Sequence, residues 1–165
     1  MKVVGLDLSL TGTGIAYVDG TIATLKTALR GLERLAWIVA TVTDTVEPGA
    51  ADVDLVVIED VAPVRANAIA QLAMLHGAVR LTLHKRGVPM AFVPPATLKK
   101  YATGRGVATK PDMRMALYKR VGIDLADDNQ VDAWWLRAAG LDHLGTPVID
   151  MPATHRDALK KVEWP

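Results

Sequence analysis

An acidic residue stands inside an apolar run near the start of this chain. Residues 3–18 read VVGLDLSLTGTGIAYV, which predicts a strand, a tight polar turn and a second strand. Asp7 falls in the middle of the first strand. Strand interiors disfavour Asp, and a buried carboxylate is costly unless something compensates its charge. Asp7 therefore needs a partner: a cation, a hydrogen-bond cage or a metal. The turn carries Gly12 and Gly14, which permit close backbone approach or positive φ.

The 165 residues suit one domain with a real core. Formal net charge is +1, so any nucleic-acid site must be a local basic patch rather than a global one. The chain has no cysteine, which excludes disulfides and thiolate metal sites and fits a reducing interior. It shows neither a signal-peptide pattern nor an uncharged apolar run long enough to span a bilayer. A cytoplasmic protein with no membrane contact is the expectation.

Strands are predicted over 2–9, 13–18 and 21–27, then a helix over 29–46 stopped by Glu47-Pro48-Gly49. Residues 53–61 form a near-continuous apolar run, as a strand covered on both faces does, and it surfaces on Glu59-Asp60. A loop over 62–66 leads to a long helix over 67–85. Its apolar residues cover more than one face, so it is expected to be buried twice, inside the domain or against a second subunit. A short strand over 89–93 follows, then helices over 96–101, 111–120 and 128–144. This order, β-β-β-α-β-α-β-α-α-α, predicts an α/β fold: a mixed five-stranded sheet with helices on both faces. Residues 1–145 form the domain. The proline-bearing tail over 146–165 has little periodic pattern and is expected to pack loosely.

Four acids occupy telling positions. Asp7 is inside a strand, Glu59 closes the buried strand, and Asp128 and Asp132 share one face of the last helix at i, i+4 spacing. Leu136 and Ala139 extend that face, so it should turn toward the sheet. Like charges on an inward face repel unless a cation bridges them. Oxygen ligands without Cys favour magnesium or manganese. Asn129 lies on a neighbouring azimuth and could coordinate through its carbonyl, whereas Asp127 points away. Residues 127–129 also read as an ordinary helix cap.

Lys99, Lys100, Arg105 and Lys110 surround Gly104 and Gly106, a loop in which amides and cations can meet phosphates, or a simple solvated basic loop. His76 shares a helical stripe with Ile69, Leu72, Val79 and Leu83 and reads as a core or interface residue. A protonated His143 would suit the end of the last helix. His84 reads as solvated. Of the adjacent Trp134 and Trp135, one is expected in the core and the other at an interface.

GLDLSLTGTG over 5–14, LVVIE over 55–59 and NQVDAWWL over 129–136 together resemble the RuvC family of Holliday junction resolvases, within the ribonuclease H-like superfamily. The resemblance runs over residues 2–143. It implies a homodimeric, DNA-binding endonuclease of recombination and repair that cuts two strands at a four-way junction. It implies four carboxylates holding two Mg2+ or Mn2+ ions: Asp7, Glu59, Asp132 and an acid just before Asp132. Family members often place that acid three residues earlier, where this chain has Asn129, and Asp128 is the natural substitute. Lysines near Lys99 and Lys110 lie beside the family's active site and contact DNA. Arg65 and Asn67 match a segment that probes the junction centre, although 62–66 holds no aromatic wedge. A phage or bacterial source fits equally.

Three other readings compete. A broader nuclease would act on flaps, forks or RNA–DNA hybrids. A binding module would keep the fold without catalysis, which the retention of Asp7, Glu59 and Asp132 opposes. An actin-like or sugar-kinase-like ATPase shares the Asp-plus-glycine opening, but needs a second lobe and a second phosphate loop. A junction nuclease needs no nucleotide cofactor.

Overall fold

The computed structural model describes residues 1–46, 53–61 and 66–165, with side chains from residue 70 onward in the last segment. Five strands form one sheet: β1 (Val3–Asp7), β2 (Thr13–Ala16), β3 (Ile22–Leu25), β4 (Leu55–Glu59) and β5 (Met90–Val93), in the order β3-β2-β1-β4-β5. The β1–β2 and β2–β3 pairs are antiparallel; β1–β4 and β4–β5 are parallel. This is the mixed sheet that the element order predicts. The strands are shorter than predicted because turns claim their ends. Thr13 Oγ1 donates to the Ser9 carbonyl and accepts from the Ser9 N–H, closing the first turn. The Tyr17 N–H donates to the Thr21 carbonyl, closing the second.

The helices are α1 (Gly31–Asp44), α2 (Ala66–Lys85), α3 (Pro95–Thr103), α4 (Lys110–Val121), α5 (Asp128–His143) and the short α6 (Ala153–Arg156), followed by a 3-10 turn over Asp157–Lys161. The expected stop of α1 at Glu47-Pro48-Gly49 lies outside the described residues. The starts of α4 and α5 follow from capping. Thr109 and Asp112 form a reciprocal capping box for α4, and Asp127 accepts from the Asn129 N–H to cap α5.

Strand alternation divides the core into two layers. Val4, Leu6, Val56 and Ile58 face α1 and α2, packing with Ile38, Val42, Leu75, Val79 and Leu83. Val3, Leu55 and Val57 face the opposite way, toward Leu98, Tyr101, Trp135, Leu136 and Ala139 of α3 and α5. The same alternation places Asp7 and Glu59 on the α5 side. Two strand glycines let α5 settle there. A Cβ on Gly5 would lie 2.1 Å from the Ala133 carbonyl oxygen, and one on Gly14 would lie 2.0 Å from that of Asn129. Neither glycine has positive φ, so close approach is what these positions require.

Three expectations change. The tail is packed rather than loose: Met151, Ala158, Leu159 and Val162 join the core over α3 and α5. Arg156 Nε donates to both carboxylate oxygens of Asp142 at 2.9 and 3.0 Å, and the Tyr101 hydroxyl donates to Asp142 at 3.1 Å. Trp134 and Trp135 are both buried, edge to face at 4.9 Å, because α3, α4 and the tail cover what the sheet leaves open. His143 stacks on Trp164 at 4.1 Å, and burial lowers its pKa, so ring packing explains it better than a dipole-bound charge. Only one face of α2 is covered within the described residues: Leu75, His76 and Val79 are buried, whereas Met74 and Leu81 are about half exposed. His76 is a core residue, held neutral with a pKa lowered to about 4 by burial and the nearby Arg80 charge. His84 is exposed, as expected.

Candidate active site

Asp7 ends β1 and Glu59 ends β4, its parallel neighbour, so the two carboxylates leave the sheet at one edge. Asp132 lies in the second turn of α5, which crosses the same face. One carboxylate oxygen from each of Asp7, Glu59 and Asp132 lies within 4.8 Å of the other two. Asp60 does not join them. Its carboxylate takes Arg80 at 2.7 Å, and the Arg80 guanidinium lies 3.8 Å from the centre of the Phe92 ring.

The trio is electrostatically frustrated. Burial, with the Asp132 charge next, raises the Asp7 pKa to about 7, against the opposing pull of Lys110. Burial and the charges of Asp7 and Asp132 raise Glu59 to about 8. Asp132 rises to about 6, chiefly through burial, with Lys110 and Lys99 opposing. A group of hard oxygen donors that hold their protons this strongly is what a divalent cation relieves. The donor set therefore fits magnesium or manganese.

The other predicted site residues arrange themselves around this trio. Asp128, at the first turn of α5, lies outside it and pairs with Lys110, Oδ2 to Nζ 3.4 Å. Asn129 is committed to the cap: its N–H and its side-chain amide both donate to Asp127 Oδ1 at 3.0 Å. Asp127 also accepts from Thr24 Oγ1 at 2.9 Å. Partial burial works against it, but these bonds and Lys26 hold its pKa below the usual value. Lys110 and Lys99 both act on the trio. Partial burial disfavours the Lys110 charge, yet Asp128, Asp132 and Asp7 outweigh that and raise its pKa. Lys100 instead acts on Asp157 of the tail, and Arg105 pairs with Asp112 at 3.2 Å. Arg65 and the side chain of Asn67 lie outside the described residues. Lys26, unforeseen from the sequence, stands 3.6 Å from Asp127 at the mouth of the site. Strand pairing is the signal that finds it: β3 pairs antiparallel with β2, Leu25 opposite Thr13, so the next residue lies beside the Gly12 turn.

A three-layer α/β domain with this sheet order and with acids at the ends of the two central parallel strands and on the crossing helix has the ribonuclease H-like fold. Two solved structures share it. Thermus thermophilus RuvC matches at a TM-score of 0.67 and 21% identity, over 92% of this chain and 100% of that one. T. thermophilus RuvC in complex with a Holliday junction substrate matches at 0.69 and 21%, over 92% and 99%. A family model described as crossover junction endodeoxyribonuclease RuvC matches residues 3–134. The crossover junction endodeoxyribonuclease RuvC of Neorickettsia sennetsu (strain ATCC VR-367 / Miyayama) is 30% identical over 115 residues, 67% of this chain and 66% of that protein. The chain belongs to the RuvC family of crossover junction endodeoxyribonucleases.

Proposed function

We propose that this chain is a metal-dependent endonuclease that resolves four-way DNA junctions by paired phosphodiester hydrolysis. The observation that carries this reading is the trio of Asp7, Glu59 and Asp132, brought within reach of one another and each held above its usual pKa. Two Mg2+ or Mn2+ ions would be held by these three carboxylates and by Asp128 as the fourth ligand. Bound there, such ions neutralise developing phosphate charge and lower the pKa of the attacking water.

The chain's own residues supply placement. Asp7 would hold the ions from the end of β1. Glu59 and Asp132 flank it on rigid elements, which favours a fixed reacting geometry. Lys110 and Lys99, whose charges reach the trio, hold the phosphate at the site. Lys100 and Arg105 would add contacts to the DNA backbone, as would Arg65 and Asn67 by the family resemblance. A four-way junction carries two cut sites, which calls for two copies. The exposed face of α2, with Met74 and Leu81, is the surface on which a second copy would dock. The bound partner is branched DNA, and the setting is the cytoplasm of a bacterium or a phage-infected host. No helix among the described residues is long and apolar enough to cross a membrane.

A cleavage panel tests this reading: duplex, flap, fork, RNA–DNA hybrid and four-way junction, each with and without Mn2+. Metal-dependent, symmetrical cutting confined to the junction by a dimer of this chain is expected. Equal cutting of flaps or hybrids would replace it with the broader nuclease. Symmetrical cutting by a monomer would remove the dimer.

A further inference from the structure

A groove of about 550 Å³ opens beside the trio, lined by Thr11, Gly12, Lys26 and Lys110 and by Asp127 and Asp128, the carboxylates that pair with the two lysines. Lys110 borders both places, since its charge also acts on Asp7 and Asp132. Lys26 lines the groove as well. Its side chain is 66% exposed, and its Nζ lies 3.6 Å from Asp127 Oδ2. Asp127 does not depend on that contact. It already accepts hydrogen bonds from Thr24 Oγ1, from the Asn129 N–H and from the Asn129 amide. An exposed pair at such a distance contributes little to stability. Gly12 keeps the path of Lys26 clear: a Cβ there would lie 3.2 Å from Lys26 Cε.

We propose that this groove binds a backbone phosphate of the DNA strand next to the position being cut, with Lys26 as its main contact. The proposal rests on the junction-nuclease reading above. A phosphate suits the site because two exposed lysine side chains, Lys26 and Lys110, line the groove together with Thr11 and Gly12. Such a contact positions the strand and carries no base information. Lys110 is shared: an Asp128 turned toward the trio, as a fourth ligand must be, releases it to the same groove.

The test is equilibrium binding of a labelled four-way junction by the full chain in EDTA, across a salt series, for wild type, Lys26→Gln and Lys2→Gln. Lys2 is exposed and precedes β1, at the end of the sheet opposite the acids, and serves as the control. Lys26→Gln is expected to weaken binding several-fold at low salt. It should also lower the slope of log K against log salt by about 0.9, the contribution of one phosphate contact. Lys2→Gln should leave the slope at the wild-type value. Thermal unfolding of Lys26→Gln should match wild type, because Asp127 keeps its three hydrogen bonds. An unchanged slope in Lys26→Gln, or an equal drop in Lys2→Gln, with wild type binding the junction, would overturn the proposal. A wild type that binds no branched DNA would instead overturn the reading on which it rests.

Discussion

The backbone of Gly14 presses against that of Asn129 so closely that a Cβ on the glycine would lie 2.0 Å from the asparagine carbonyl oxygen. This contact seats the first turn of α5 on β2 and so brings Asp132, one turn further, to Asp7. Backbone atoms on both sides leave no flexible side chain to yield. Gly14→Ala is therefore expected to push α5 off the sheet and lower stability by about 1–3 kcal/mol. Denaturant unfolding measures the loss, and a midpoint equal to wild type would contradict it.

The raised carboxyl pKa values make metal-free stability depend on pH. Asp7, Glu59 and Asp132 hold protons in the folded chain up to about 7, 8 and 6, whereas the unfolded chain releases them near ordinary carboxylate values. Between roughly pH 4 and 8 the folded state binds more protons, so these groups contribute less stability as pH rises. Divalent ions bind the ionised form and restore it. The rise in Tm on adding Mg2+ or Mn2+ should thus be larger at pH 8 than at pH 5, and Asp7→Asn should blunt it. An equal rise at both pH values would count against the trio as the binding site.

The tail is held through Asp142. Its side chain is 8% exposed and takes both Arg156 and Tyr101. Burial and the Asp142 charge raise the Tyr101 pKa, so this hydroxyl stays protonated and keeps donating. Arg156→Ala leaves the carboxylate short of its cation and should lower the Tm of the full chain. Calorimetry of the full chain checks this. No change in Tm would show that the tail is anchored by its apolar residues alone.

Asp128 and Asn129 are the two candidates for the fourth ligand. Asn129 offers only a neutral carbonyl oxygen, on a side chain whose Nδ2 donates to Asp127, whereas Asp128 offers a carboxylate released by breaking one exposed ion pair. Asp128→Asn should therefore slow junction cutting by at least about 10–100-fold, the range seen for groups that merely support metal ligands. Asn129→Ala should slow it less. Single-turnover rates at saturating Mn2+ decide between them, and a larger loss at Asn129 would reverse the assignment.

Much of this arrangement is legible in the amino-acid sequence. A charge inside an apolar strand has few innocent explanations, which singles out Asp7, and the acids closing the run over 55–59 point to Glu59. Period-two alternation then puts both on one face of the sheet. The i, i+4 spacing of Asp128 and Asp132 is also readable, but Asp128 occupies the open first turn of α5, where Lys110 reaches it. What stays hidden depends on contacts distant in sequence. The tail reads as unpatterned because Met151, Leu159 and Val162 pack on α3 and α5 without a helical or strand period. The burial of both Trp134 and Trp135 is hidden as well, because the tail residues that join their core cluster carry no such period. Lys26 becomes visible only once β3 is paired with β2.

Under the proposed function, Asp7 and Glu59 serve chemistry rather than binding or folding. The most direct measurement compares wild type, Asp7→Asn and Glu59→Gln on one labelled four-way junction, reading affinity by gel shift and cutting in Mn2+ in parallel. Both variants are expected to bind the junction about as tightly as wild type and to leave it uncut. Cutting at the wild-type rate by either variant would contradict it.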